Sequence, residues 1–146
     1  MIEGCTCLWT RTATYGSVHL ADDRQRAREE VREGIARERF DFATPVTGSP
    51  LPQVGRAAWL DEVADRPTVV IGTPDDAIEK LGALRDATGV GGFLVTAKWW
   101  AGREATLRSY DLIARRVMPA LRGTGRDLET AAMAAANAVA AAPPQR

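Results

Sequence analysis

Thr68-Val-Val-Ile-Gly72 runs directly into Thr73-Pro-Asp-Asp76, and this stretch decides the fold. Residues 68–72 are apolar and mostly β-branched, the composition of a buried strand. Thr73 supplies a capping hydroxyl, Pro74 suits the first helical position, and Asp75 and Asp76 favour the positive end of a helix. Ala77, Ile78, Leu81 and Leu84 follow as the inner helical face, and Gly89 supplies the left-handed stop. Val90-Gly-Gly-Phe-Leu-Val-Thr96 then reads as a second strand, whose paired glycines permit a bulge or a close approach. A long helix begins near Arg103, with Leu107, Tyr110, Ala114, Val117, Met118 and Leu121 as its inner face, and Gly123 ends it. Strand, helix, strand, helix at these lengths predicts parallel βα units and an α/β fold.

Working outward, Tyr15-Gly-Ser-Val-His-Leu20 reads as an upstream strand. Asp22, with Gln25 three residues on, has the form of a capping box that starts a helix. Ala27, Val31 and Ile35 recur every fourth residue, and the rest of that helix is charged with both signs. Such a face is solvated and laced with ion pairs, unlike a nucleic-acid surface. Pro45, Gly48, Pro50 and Pro52 predict a long loop from Phe40 to Val54. A short helix around Trp59, Leu60 and Val63 follows it. Beyond Gly125 the chain is Ala-rich, which predicts a weakly docked helical tail ending at Pro143-Pro144. The organisation expected is an N-terminal extension over 1–14, a domain over 15–122 and a low-complexity tail over 123–146.

The chain has 146 residues, whereas a closed eight-stranded βα barrel takes at least about 200, so it can supply only part of one. Lys plus Arg number 19 and Asp plus Glu number 19, so the basic excess of a nucleic-acid-binding surface is missing. Cys5 and Cys7 stand one residue apart, poor spacing for a disulfide. With His19 as the sole histidine, soft ligands are too few for a tetrahedral zinc site. Free thiols in a reducing cytoplasm, and no metal, are expected. Met1-Ile-Glu-Gly4 lacks the pattern of a signal peptide, and the run from Ala131 to Ala142 is short for a membrane span.

Four places invite a chemical reading. Gly72 to Asp76 opens a helix, but its own carboxylates supply the negative charge there, which points to a structural cap. Gly89-Val-Gly-Gly92 precedes a strand and lacks dinucleotide-binding spacing. His19 stands without a nucleophile partner and is expected to be a hydrogen-bonded strand-end residue, Asp22 a cap; Arg11 has no identifiable role. Lys98, Trp99 and Trp100 follow the strand ending near Thr96, and in parallel βα architectures such residues face the ligand side. An aromatic there suits a flat apolar ligand and a lysine an anion; alternatively the tryptophans pack under the next helix.

Val70 to Leu81, Thr88 to Val95, Arg103 to Tyr110 and Ala114 to Pro119 together resemble the C-terminal end of bacterial luciferase-like flavin-dependent monooxygenases, in particular the limonene- and alkanal-monooxygenase-like branch. Ser17-Val-His-Leu-Ala-Asp-Asp23, with Ala27 and Val31, is similar to a strand and helix of the same family. The resemblance covers most of residues 15–122. It implies a partial (β/α)8 TIM-type barrel that works with reduced FMN, or a deazaflavin in some branches, and with dioxygen on an aldehyde or hydrocarbon. The family's flavin contacts come mostly from earlier strands, so the resemblance implies no flavin-phosphate site here and a portion inactive alone. Where the branch has His, an acidic residue and Trp after its last strand, this chain has Lys98, Trp99 and Trp100, and only Trp100 matches. Lys98 and Trp100 are therefore expected to line the cofactor or substrate cavity; no catalytic residue is identified, and the family's strand-end His, matched by His19, carries no assigned role. The alternative is a non-catalytic oligomerisation or interaction module whose open sheet is completed by a second copy or a separate N-terminal barrel portion.

Overall fold

The upstream strand forms as β1 (Thr14–Leu20), the middle of a three-stranded parallel sheet ordered β2-β1-β3. The computed structural model describes residues 13–96, 98–122 and Thr130. β2 (Val69–Gly72) runs beside the second half of β1, pairing Ser17 with Val69 and Leu20 with Gly72. β3 (Phe93–Val95) runs beside the first half, pairing Thr14 with Phe93 and Gly16 with Val95. β3 is shorter than the expected Val90–Thr96, although the Gly92 carbonyl before it still accepts from Thr14 N–H at 3.0 Å.

α1 (Arg24–Arg37) follows β1, and its cap is Asp23 rather than Asp22. Asp23 has the extended backbone a cap requires (φ −140°, ψ 160°) and its carboxylate accepts from Arg26 N–H at 2.8 Å. Asp22 forms an ion pair with Arg26 at 3.2 Å instead, and Gln25 donates to Glu29 at 2.8 Å. α1 runs on into a π-helical segment (Glu38–Ala43) and a short α2 (Thr44–Thr47) that stops at the left-handed Gly48. Half of the expected loop is therefore helical; Pro45 is tolerated because it lies in the first turn of α2. α3 (Trp59–Ala64) precedes β2. α4 (Pro74–Thr88) has the full expected start and stop: a reciprocal capping box between Thr73 and Asp76, and Gly89 at φ 70°.

α5 (Arg103–Leu112) continues through a second π segment (Ile113–Val117) into α6 (Met118–Leu121). Its buried face is only partly the one expected: Val117 is buried and Leu121 packs against the core. Ala105, Ser109 and Val117 are buried, while Leu107, Tyr110, Ala114 and Met118 are exposed. Ser109 sets the phase. β3 ends opposite Gly16, so the edge of β1 beyond it lacks a neighbouring strand; there the Leu20 N–H donates to Ser109 Oγ at 2.9 Å.

Two separate apolar clusters sandwich the sheet. Val69 and Ile71 join Val31, Ile35, Trp59, Leu60, Val63 and Trp100 on one face. Val70 joins Val18, Leu20, Ala77, Leu81 and Val117 on the other. The alternation along β2 is that of a strand buried on both sides. An open sheet this narrow needs both faces covered, and helices lie on each: α1 and α3 on one, α4 and the α5–α6 helix on the other. The readings for Cys5, Cys7 and Arg11, and nearly all of those for the Ala-rich tail, lie outside the described residues. Among the described residues, no helix is long and apolar enough to cross a membrane.

Candidate functional site

The chain leaving β3 is tied down before it reaches Lys98. Thr96 N–H and its hydroxyl both donate to the Gly16 carbonyl, each at 2.8 Å, and the hydroxyl lies 3.0 Å from Ser17 Oγ. The backbone of Trp100 then lies directly on α1 at Gly34. A Cβ at that position would stand 1.9 Å from the Trp100 carbonyl oxygen, so only glycine admits the approach. Trp100 is 8% exposed and packs with Val31, Ile35, Trp59 and Leu60.

Glu38 joins the two expected site residues. Its carboxylate accepts from the Trp100 indole N–H and from Lys98 Nζ, the latter at 2.5 Å. The Lys98 ammonium also stands 5.9 Å from the centroid of the Trp100 ring, within cation–π range. Glu38 lies 60 residues from Lys98 and 62 from Trp100 along the chain, so no local spacing marked it. Lys98 and Trp100 thus come together, but differently: Lys98 reaches a surface cleft, whereas Trp100 is packed into the α1–α3 core.

That cleft has a volume of about 400 Å³ and lies between the end of α1 and α5. Arg37, Lys98, Trp99, Arg103, Leu107 and Tyr110 carry its chemistry, and among the described residues no carboxylate lines it. Arg37 Nη2 donates to the Trp99 carbonyl at 3.3 Å. Trp99 itself is 89% exposed, so it does not pack under the following helix.

A second charged cluster is closed on itself. His19 is buried in β1 and its Nε2 donates to Glu30 of α1 at 2.9 Å. The other Glu30 oxygen accepts from Arg26 at 3.0 Å and from Arg108 of α5 at 2.5 Å. Burial pushes the Glu30 carboxyl up, but the bonds from His19 and Arg26 outweigh it, leaving a net shift below the ordinary 4.5. This arrangement clamps β1, α1 and α5, and fits the expectation of a hydrogen-bonded strand-end histidine. The start of α4 is closed too: Asp76 accepts from Thr73 N–H and Oγ1, both at 2.9 Å, and from Arg24. No group of three or more His, Cys, Asp or Glu that could hold a metal ion occurs among the described residues.

Over 110 residues the chain is 34% identical to a 4-hydroxyprotoasukamycin monooxygenase of Streptomyces nodosus subsp. asukaensis, a span covering 74% of this chain and 30% of that protein. Over 109 residues it is 31% identical to a limonene 1,2-monooxygenase of Rhodococcus erythropolis, covering 74% and 28%. Homologous monooxygenases of the luciferase-like type cover about 74% of this chain. A solved structure agrees: the oxygenating constituent of 3,6-diketocamphane monooxygenase from the CAM plasmid of Pseudomonas putida, a type II Baeyer–Villiger monooxygenase in complex with FMN. It matches with a TM-score of 0.51 and 25% identity, over 73% of this chain and 33% of its own. No family model matches. The chain spans about a third of the length of these luciferase-like relatives.

Proposed function

We propose that the chain, chiefly residues 15–122, is the C-terminal portion of a luciferase-like flavin-dependent monooxygenase barrel. The observation that carries this is Lys98: it sits just past the C-terminal end of a parallel strand, at an open cleft, in a chain whose homologues are such monooxygenases.

The residues present fit a flavin at one wall. Lys98 Nζ spends one N–H on Glu38 and keeps two for a carbonyl or phosphate oxygen. Trp100, with its N–H spent and its ring buried, supports that wall from behind. Reduced FMN, when bound, supplies the electrons and activates the dioxygen; a deazaflavin shares the ring chemistry. The chain's own part is to hold Lys98 in place through Glu38, with Trp100 packed behind it. Turnover belongs to the assembled barrel in the cytoplasm, on an aldehyde or hydrocarbon, and the chain alone is expected to be inactive.

A second reading is favoured by one observation. Tyr15 and Leu94 pair in register on β1 and β3, yet are 71% and 63% exposed. Parallel sheets are ordinarily covered on both faces. A partner that covers this half-face would make the chain an interaction module, whether that partner is a second copy or a separate barrel portion.

Fluorescence titration with FMN, oxidised and reduced, together with the mass in solution, tests the first reading. Stoichiometric binding is expected if the portion holds a cofactor wall. Absence of binding up to about 100 μM, a free energy weaker than about −5.5 kcal/mol, would remove the cofactor wall at Lys98 and favour the interaction module.

A further inference from the structure

The cleft between the end of α1 and α5 has chemistry that the flavin reading does not use. Among the described residues its lining carries Arg37, Lys98 and Arg103 and no carboxylate. Glu38 offsets the charge of Lys98, which leaves the two guanidinium groups. Arg37 bonds a backbone carbonyl and feels Asp41, which itself pairs with Arg56, only through space; Arg103 has neither an ion pair nor a hydrogen bond among the described residues. In a protein of zero net charge, two arginines without an ion pair beside one cavity form a local anion-attracting surface.

The same cleft gathers large apolar side chains that face solvent. Trp99 is 89% exposed, Leu107 52% and Tyr110 37%. Exposed apolar residues need no explanation when scattered singly, but here three border one cavity. The backbone that carries Trp99 is held in place: Trp99 stands between Lys98 and Trp100, both tied to Glu38, and its own carbonyl is held by Arg37. A backbone fixed in this way has less freedom to lose when a ligand arrives.

We infer that this cleft binds a planar aromatic carboxylate, and that the aldehyde or hydrocarbon substrate of the assembled monooxygenase carries such a carboxylate away from its reacting carbon. A guanidinium fork matches the two oxygens of a carboxylate, and the Trp99 and Tyr110 rings offer flat faces for stacking. The volume of about 400 Å³ is that of a small-molecule pocket. The substrate role rests on the flavin reading, whereas the binding site does not.

Calorimetric titration of the full chain with 2-naphthoate, and with the neutral 2-naphthalenemethanol, tests the inference. Saturable one-to-one binding of the naphthoate is expected, with the alcohol weaker by about tenfold or more, since one charge-assisted hydrogen bond is worth that factor. Arg103→Gln and Trp99→Ala, both at exposed positions, should each weaken naphthoate by about tenfold while leaving the far-ultraviolet circular dichroism unchanged. Equal affinities for acid and alcohol, no saturation by about 10 mM, or variants that bind like the parent would overturn it. FMN titration separates the two readings. Naphthoate binding without FMN binding removes the cofactor wall at Lys98 and keeps the cleft; the reverse removes the aromatic-carboxylate site and keeps the flavin wall.

Discussion

Ser109→Ala tests how the sheet is finished. The Leu20 N–H lies on the edge of β1 where β3 has already ended, four residues beyond the Gly16–Val95 pair. Its bond is to Ser109 Oγ at 2.9 Å, with Leu20 fully buried and Ser109 1% exposed. Alanine removes the acceptor and leaves a space too small for water to enter readily. The cost is then that of a buried, unsatisfied donor, about 1–3 kcal/mol, rather than the smaller net worth of a hydrogen bond. At about 4 °C per kcal/mol for a chain of this size, Tm should fall by about 4–12 °C. Urea unfolding should show a lower midpoint at unchanged slope. Ser109→Thr keeps the hydroxyl and should recover part of the loss. Hydrogen exchange at the Leu20 amide should accelerate in the alanine variant more than at Val70. A change below about 0.5 kcal/mol, the usual range of a surface substitution, would refute this account of Ser109 as the cap of the sheet edge.

Two further perturbations follow. Gly34→Ala gains about 1 kcal/mol of helix propensity but drives a Cβ into the Trp100 carbonyl 1.9 Å away, so net destabilisation above about 1 kcal/mol is expected by chemical denaturation. Asp76→Ala leaves the Thr73 cap but removes the reciprocal half of the α4 capping box and the bond from Arg24, and should cost about 1–2 kcal/mol at neutral pH. The bond from Arg24, then those from Thr73, hold the Asp76 carboxyl well below its ordinary 3.8. A depressed carboxyl stabilises the fold above its unfolded value and loses that contribution as pH falls, so the gap between parent and variant should shrink below about pH 4. A gap that stays constant from pH 7 to about pH 3 would show that the charge is irrelevant.

The legible parts of the fold were those encoded by neighbours. Thr73, Pro74, Asp76 and Gly89 specify both ends of α4 within the chain's own local spacing, and all four do what their types dictate. The run Val69-Val-Ile71 alternates between two cores, which only a strand in the middle of a sandwich can do. The phase of α5 was not legible. Leu107 and Tyr110 face out because Ser109, between them, faces inward for a hydrogen bond that hydrophobicity does not record, whereas Val117 and Leu121 pack inward as the periodicity has it. Lys98 was legible as a cleft residue because strand ends in βα units point that way. Glu38 was not, because its partners are brought to it only by tertiary packing. Asp22 and Asp23 were nearly equivalent as caps, and the backbone angle of Asp23 decided between them.

The two π segments carry a consequence for how this chain tolerates changes of length. In each, the residue after the segment bonds five positions back: Thr44 N–H to the Arg39 carbonyl, and Met118 N–H to the Ile113 carbonyl. Such a turn holds one residue more than an α-helix of the same rise. Removing that residue restores the regular ladder and leaves the flanking turns in phase, so Glu38–Ala43 and Ile113–Val117 are places where a deletion can be absorbed. The same deletion inside α4 would rotate every following side chain by about 100° and carry Leu81 out of its core. Insertions and losses among related chains should therefore collect in these two segments.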